Sequence, residues 1–204
     1  MKSAVLGKID ENVKSGFPYM SSVLIVRHGW IVFENYYQGS QDDLRLQFSI
    51  TKSLMSMLTG IAIGQGLIES PQSEVYRYLP DTIRGAMSAD AKSILVRHLL
   101  THTSGLSSIQ SSWLYGTIMS THSGLAAPAE QAKYLGFTIR WFLDAQPGEQ
   151  HTYNNFGYIL LAYIIEQVSG QSYADFLNQT IFTSLNMHNT GYEDSSSGLA
   201  AGYT

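Results

Sequence analysis

Phe48-Ser49-Ile50-Thr51-Lys52-Ser53 stands where the pattern of the sequence changes from strand-like to helical. After this stretch, apolar residues recur at helical spacing, which predicts a helix with one apolar face made of Ile50, Leu54, Met57, Leu58 and Ile61. Gly64 and Gly66 are plausible stop signals for this helix. Ser49 and Lys52 are three residues apart at its start, so their side chains are predicted on one face, about one turn apart.

This pair of side chains has the chemistry of an activated nucleophile. A serine hydroxyl attacks poorly until a base takes its proton, and a lysine can be that base if its surroundings lower its pKa. Unpaired N–H groups at a helix N-terminus also favour developing negative charge. Ser-x-x-Lys often arises by chance, however, and on these four residues alone a capping serine followed by a solvated lysine is the simpler interpretation.

Two strand-like runs precede the helix. Val23-Leu24-Ile25-Val26 and Trp30-Ile31-Val32-Phe33 flank the dipeptide His28-Gly29, which predicts a β-hairpin. A two-stranded hairpin is barely stable by itself. Its apolar face is therefore expected to pack on helices, or on strands that the sequence does not supply.

Helical patterns dominate the remaining chain. Ser93 is a candidate cap for a helix that carries Leu95, Leu99 and Leu100 and is closed by Gly105. Further helices are predicted over Thr138 to Leu143, over Ile159 to Val168 with Gly170 at the C′ position, and after the capping box Ser172-x-x-Asp175. One hairpin is thus followed by many helices.

Composition narrows the function classes. The 204 residues carry a net charge of −4 without a basic run, so nucleic acid is an unexpected partner. The absence of cysteine excludes disulfides, zinc–thiolate sites and a cysteine nucleophile. No apolar run reaches transmembrane length, and no signal-peptide pattern opens the chain. A cytoplasmic location is expected, or an exported one if a signal peptide has been removed.

Three segments together give a specific resemblance. They are the Ser49-x-x-Lys52 stretch, the run from Val96 to Leu106 that contains Thr101-His102-Thr103-Ser104-Gly105-Leu106, and the run from Pro147 to Tyr158 that contains Tyr153-Asn154-Asn155. In this order they resemble the serine β-lactamase and penicillin-binding-protein superfamily, in the branch of class C β-lactamases, D-alanyl-D-alanine peptidases and β-lactamase-like esterases. Ser-x-x-Lys is the first catalytic motif of that group, and Tyr-x-Asn is the second motif of the branch. The resemblance covers the chain from about Ser22 onwards.

The resemblance implies an α+β fold of the β-lactamase/transpeptidase type, with an antiparallel sheet flanked by helices and a helical subdomain. Residues 1–204 would form the N-terminal portion of one such domain, with the hairpin and nucleophile helix in about 1–60 and a mainly helical part in about 61–204. The third family motif, Lys-Thr-Gly or His-x-Gly on a late strand, is not found, and Asn189-Thr190-Gly191 is not assigned to it. The sheet is therefore expected to be incomplete, and a companion chain, a C-terminal segment or a second copy would complete it.

The resemblance also implies roles for individual residues. Ser49 would attack a carbonyl and form an acyl-enzyme, Lys52 would hold or accept its proton, and Tyr153 would relay that proton to the leaving group. Asn155 would orient Lys52 and hydrogen-bond the substrate on its carbonyl side. The substrate would be a small acyl compound, whether ester, amide, β-lactam or D-amino-acid peptide, and no cofactor or metal is implied.

Other interpretations stay open at this point. A non-catalytic binding or sensor module could keep the fold without the third motif. His98 and His102 stand four apart, as metal ligands can on a helix, but histidines packed near a helix end explain them more simply. Trp113 and Tyr115 could line an acyl pocket or could serve only in packing.

Overall fold

The computed structural model describes residues 3–85, 87–107 and 143–191. The chain divides into two compact units. The described residues of the first unit are 3–46, and those of the second run from Gln47 onwards.

The first unit contains two short helices and the hairpin. The helices are α1 (Ser3–Leu6) and α2 (Ile9–Gly16), and the antiparallel strands are β1 (Ser22–Arg27) and β2 (Trp30–Tyr36). His28 and Gly29 link the strands with φ values of 51° and 79°. Two residues with positive φ make the turn that matches the natural twist of paired strands, and glycine adopts this conformation at no steric cost. The predicted hairpin is confirmed.

Helix α2 is joined to the hairpin through one carboxylate. Oδ1 of Asp10 accepts hydrogen bonds from Nδ2 of Asn35 (2.7 Å) and from the hydroxyl of Tyr37 (2.6 Å). These bonds lower the pKa of Asp10, with the Tyr37 bond contributing most. Opposite this attachment, Leu24, Val26 and Ile31 remain exposed by 49%, 61% and 58%. What packs on this apolar face stays a prediction.

The second unit is helical. It begins with a 3-10 turn (Phe48–Ile50) that runs directly into α3 (Thr51–Gly64). A second 3-10 turn (Val75–Tyr78) follows, with three short helices, α4 (Asp81–Arg84), α5 (Ala89–Lys92) and α6 (Val96–Leu100). The last elements are α7 (Asn155–Ser169), α8 (Tyr173–Leu177) and a π-helical turn (Asn178–Phe182).

Helix α7 is the centre of this unit. It packs against α3, α6 and α8, and it buries Phe156, Gly157 and the whole run from Leu160 to Ile165. Asn154 caps its N-terminus, and Gly170 follows its last residue in the left-handed conformation, as predicted. Ser172 caps α8 by accepting a hydrogen bond from the Asp175 N–H (3.1 Å), which confirms the predicted capping residue.

Two details of the predicted helices are wrong. Helix α3 ends at Gly64 as predicted, but it buries Met55, Leu58, Thr59 and Ala62, while Ile50 and Met57 are exposed. The buried stripe is rotated from the predicted one and includes Thr59, whose hydroxyl is satisfied in the core by donating to the Met55 carbonyl (2.8 Å). Ser93 lies at the C-terminal end of α5 and does not cap α6. The first N–H group of α6, that of Val96, donates instead to the carbonyl of Ser73 (3.0 Å).

The combination of one hairpin with many helices confirms the predicted α+β class. Across the described residues the only sheet is the two-stranded β1–β2 pair, and it does not close. The predicted helix over Thr138 to Leu143 lies outside the described residues except for Leu143, whose backbone forms an isolated bridge with Leu106. Trp113 and Tyr115 also lie outside them. Among the described helices, none has the length and apolar character needed to cross a bilayer.

Candidate active site

Ser49 lies at the centre of the 3-10 turn that leads into α3. Phe48, immediately before it, has a φ of 42°, which is unusual for a bulky side chain. The Thr51 hydroxyl donates to the Phe48 carbonyl (2.6 Å), and the Ile50 N–H donates to the Gln47 carbonyl (3.0 Å). These bonds hold the turn in its strained form, and the Ser49 side chain is left exposed at the start of the helix.

The structure brings together three of the four predicted site residues. Nζ of Lys52 donates to Oγ of Ser49 at 3.1 Å, one helical turn along. Oγ of Ser49 lies 2.6 Å from the hydroxyl oxygen of Tyr153, which is 104 residues away in the sequence. Nζ of Lys52 also lies 4.9 Å from the centre of the Tyr153 ring. The serine oxygen therefore has two proton-exchanging groups within hydrogen-bond reach.

The surroundings of Tyr153 change the acidity of its phenol. Lys52, through its hydrogen-bonding contact, lowers the pKa of Tyr153, and the bond to Ser49 adds to the effect. Burial opposes both effects, although Tyr153 is 50% exposed. A lowered pKa makes the phenolate form of Tyr153 more accessible, and in that form the oxygen can accept the proton of the Ser49 hydroxyl. This is the arrangement that general-base activation of a serine requires.

Tyr153 is positioned by a set of backbone hydrogen bonds between residues 102–105 and 144–154. Asp144 N–H donates to the Gly105 carbonyl, Gly148 N–H to that of Thr103, and Thr152 N–H to that of His102, each at 2.8 Å. Gly105 has a φ of 73°, and a Cβ at this position would lie 2.1 Å from the Ala145 carbonyl oxygen. Only glycine allows the two segments to approach so closely.

Asn154 and Asn155 have different surroundings. Asn154 is buried, its Oδ1 accepts from the Gly157 N–H (3.1 Å), and its Nδ2 donates to the Leu106 carbonyl (2.9 Å). Asn155 is the half-buried first residue of α7. Within the described part of the chain, no hydrogen bond joins Asn155 to Lys52. Its predicted role in orienting the lysine stays a prediction.

The two histidines of the possible metal pair make different contacts. His98 is buried, and its Nδ1 accepts a hydrogen bond from the Leu95 N–H (3.2 Å) at the start of α6. The His102 ring packs against the rings of Tyr153 (4.6 Å between centres) and Tyr158 (5.1 Å). Over the described ranges, no group of three or more possible metal ligands is assembled.

Two residues of this site carry little signal in the sequence. His102 has a left-handed backbone conformation, with a φ of 57°, in which its ring contacts Tyr153. No pattern in the neighbouring sequence predicts this conformation. Tyr158 places its ring centre 5.6 Å from Nζ of Lys52 and donates its hydroxyl to the Leu100 carbonyl (2.8 Å). Its position one to two turns beyond Tyr153, at the start of an apolar helix, was the one available indication.

Comparison with known proteins shows which family this chain resembles. A family model described as Beta-lactamase matches residues 10–204. Penicillin-binding protein 4* of Bacillus subtilis (strain 168) is 35% identical over 99 residues, which are 48% of this chain and 21% of that protein. The N-acetylmuramyl-L-alanine amidase of the same organism is 26% identical over 215 residues, covering 94% of this chain and 46% of the relative.

A solved structure shows the same arrangement of the chain. The octameric penicillin-binding protein homologue from Pyrococcus abyssi matches with a TM-score of 0.70 and 25% identity. The match covers 92% of this chain and 44% of the archaeal one. In each of these three comparisons, the matched part is less than half of the relative's own length.

Proposed function

This chain belongs to the Beta-lactamase family, and from that membership and the Ser49 geometry we propose that it is a serine hydrolase that forms an acyl-enzyme on Ser49. The family resemblance expected from the three motifs is confirmed by the family match and by the relatives. The observation that carries the proposal is the placement of one serine oxygen 3.1 Å from Lys52 Nζ and 2.6 Å from the Tyr153 hydroxyl.

The proposed reaction has two halves. Oγ of Ser49 attacks the carbonyl carbon of a small ester, amide or β-lactam, and the serine proton passes through Tyr153 to the leaving oxygen or nitrogen. The bond to the leaving group breaks, and the acyl group stays on Ser49. Water then releases the acid, with Tyr153 taking a proton from the water and returning it to Ser49. The Ser49 backbone N–H would donate to the oxyanion of each tetrahedral intermediate.

The substrate class rests on the relatives as well as on the site. One relative is named an amidase, and amides, esters and β-lactams share the carbonyl that an activated serine attacks. Small activated esters are therefore suitable first substrates. The cytoplasmic location expected from the sequence remains a separate prediction.

The test is covalent labelling followed by turnover. A fluorophosphonate probe should label the protein, and peptide mass spectrometry should locate the label on Ser49. Ser49→Ala should abolish labelling and lower the hydrolysis of p-nitrophenyl butyrate by several orders of magnitude, as loss of a nucleophile does. Ser53→Ala, at an exposed serine of the same helix, is the matched control and should behave as wild type. Near wild-type turnover by Ser49→Ala would refute the proposal.

A non-catalytic binding module is the alternative that one observation favours. The described residues of the second unit contain isolated bridges but no β-strand, so a strand that could supply a second oxyanion donor is not found there. Loss of one such donor costs roughly 10²–10³ in rate. Ligand binding without any labelling of Ser49 would identify this alternative.

A further inference from the structure

His102 binds the backbone on both sides of Tyr153. Its carbonyl oxygen accepts the Thr152 N–H at 2.8 Å, and its Nδ1 accepts the Asn154 N–H at 3.1 Å. The residue between these two donors is Tyr153. A single histidine therefore holds the peptide unit that follows Tyr153 and the one that precedes Thr152, and it does so from a left-handed backbone conformation.

The same residue supports the Tyr153 side chain. The centre of its ring lies 4.6 Å from the centre of the Tyr153 ring, with the planes inclined by 37°. The phenol is half exposed, and its other contacts are with Ser49 and Lys52 themselves. A backbone held at two points and a ring supported on one face together define where the phenol oxygen lies.

The hydrogen bond from Asn154 requires one protonation state of His102. A backbone N–H can donate only to an unprotonated ring nitrogen, so the neutral imidazole carries its proton on Nε2. Lys52 of α3, His151 and Tyr153 of the 144–154 segment and Tyr158 of α7 surround the ring. Burial is the largest cause that lowers the pKa of His102, and the nearby His151 and Lys52 act in the same direction.

We propose that neutral His102 is the positioning residue for Tyr153, keeping the phenol oxygen within hydrogen-bond reach of Ser49. This inference rests on the proposed function for its kinetic consequences, although its geometric consequence is independent of turnover. Protonation of Nδ1 would replace the acceptor by a donor and break the Asn154 bond. Activity should therefore fall as the pH drops through a value below 6.5, the ordinary pKa of histidine.

Two variants separate the acceptor from the ring. His102→Asn keeps a short acceptor and tolerates positive φ, but it cannot titrate. We expect its kcat at neutral pH to stay within about tenfold of wild type, with the acid fall caused by His102 removed. His102→Phe keeps an aromatic ring but removes the acceptor, so kcat should drop roughly 10²-fold, as small misplacements of catalytic groups do, while KM changes less.

A double variant shows whether His102 acts through Tyr153. If it does, adding His102→Phe to Tyr153→Phe should cause no further loss of kcat, since the group being positioned is already gone. Losses that multiply in the double variant would overturn the proposal. So would equal impairment of His102→Asn and His102→Phe, or an acid limb that is unchanged in His102→Asn.

One readout does not depend on activity. In protein with labelled tyrosines, the NMR titration of Tyr153, assigned by its loss in Tyr153→Phe, reports whether the phenol still contacts Lys52 and Ser49. The pKa of Tyr153 should rise in His102→Phe and stay low in His102→Asn. An unchanged pKa in both would overturn the positioning role, even if wild-type protein turns over no ester. Absence of Ser49-dependent turnover with this NMR pattern intact would instead refute only the proposed hydrolase function.

Discussion

Lys52 is the residue that most affects the acidity of the Tyr153 phenol. Its hydrogen-bonding contact is the main cause of the lowered pKa of Tyr153, the bond to Ser49 adds to this effect, and burial opposes both. We expect Lys52→Ala to raise the pKa of Tyr153 towards the ordinary value of about 10. Tyrosine-selective NMR titration would measure this directly. Lys92→Ala, a change of the same kind on α5, should leave it unmoved, and an unshifted Tyr153 in Lys52→Ala would show that another group lowers its pKa.

Removing the phenol oxygen tests the relay. Tyr153→Phe keeps the ring and its contact with His102 but deletes the atom 2.6 Å from Ser49. Positioned acid–base groups typically contribute about 10²–10⁴ in rate, so kcat for p-nitrophenyl butyrate should fall by that range. Circular dichroism should show an unchanged fold, and Tyr76→Phe, in the same unit, should keep wild-type turnover. An unchanged kcat in Tyr153→Phe would make Tyr153 a packing residue.

At the residue scale, only local geometry was predictable from spacing. The contact between Ser49 and Lys52 follows from helical periodicity over three residues, and the structure shows it at 3.1 Å. The contact between Ser49 and Tyr153 spans 104 residues, so spacing could not predict it, and the family resemblance was needed. The support from His102 depends on backbone bonds to Thr152 and Asn154, which no side-chain pattern reveals.

The N-terminus of α7 links helix stability to the site, because its cap, Asn154, directly follows Tyr153. Asn154→Ala removes the cap and leaves the Leu106 carbonyl without its Nδ2 donor. Loss of a cap costs about 1 kcal/mol, and a lost buried hydrogen bond costs about 1 kcal/mol more. Urea unfolding should therefore show a decrease of about 2 kcal/mol, accompanied by a fall in kcat.

Ser172→Ala is the matched control for this helix prediction. It removes the exposed cap of α8, so it should destabilise the protein by about 1 kcal/mol and leave kcat unchanged. If the two variants lowered stability equally and neither affected kcat, the link between the α7 cap and Tyr153 would be wrong.

At the element scale, the accuracy of prediction follows the range of the interactions. The C-terminal ends of α3 and α7 and the start of α8 were predicted, since Gly64, Gly170 and Ser172 act on their own helices. The start of α6 was not predicted, because its first N–H bonds to Ser73, some twenty residues earlier in the chain. The prediction of the buried face of α3 was wrong for the same reason, because packing against the distant helix α7 determines which face is buried.

For the whole molecule, the sheet is the element whose packing partner is still to be identified. Its described residues form a single hairpin, and two strands are barely stable without a partner for their apolar face. Glu34 lies opposite Leu24, but the neighbouring pair of Val26 and Ile31 is apolar and both of its residues are exposed. Exposed strand edges and apolar faces tend to pair with other chains.

We propose that a second copy of this chain covers the face made by Leu24, Val26 and Ile31. Light scattering coupled to size exclusion, with intact mass analysis of the eluted material, should show self-association, and a bound polypeptide of different mass would contradict the proposal. Val26→Lys places a charge in the middle of the face and should shift the protein towards a single unbound chain. Asn12→Lys adds the same charge on an exposed position of α2, outside the face, and should leave the assembly intact. A wild-type protein that elutes as one chain alone at every concentration would show that the face is solvated, and a second polypeptide would then not be required.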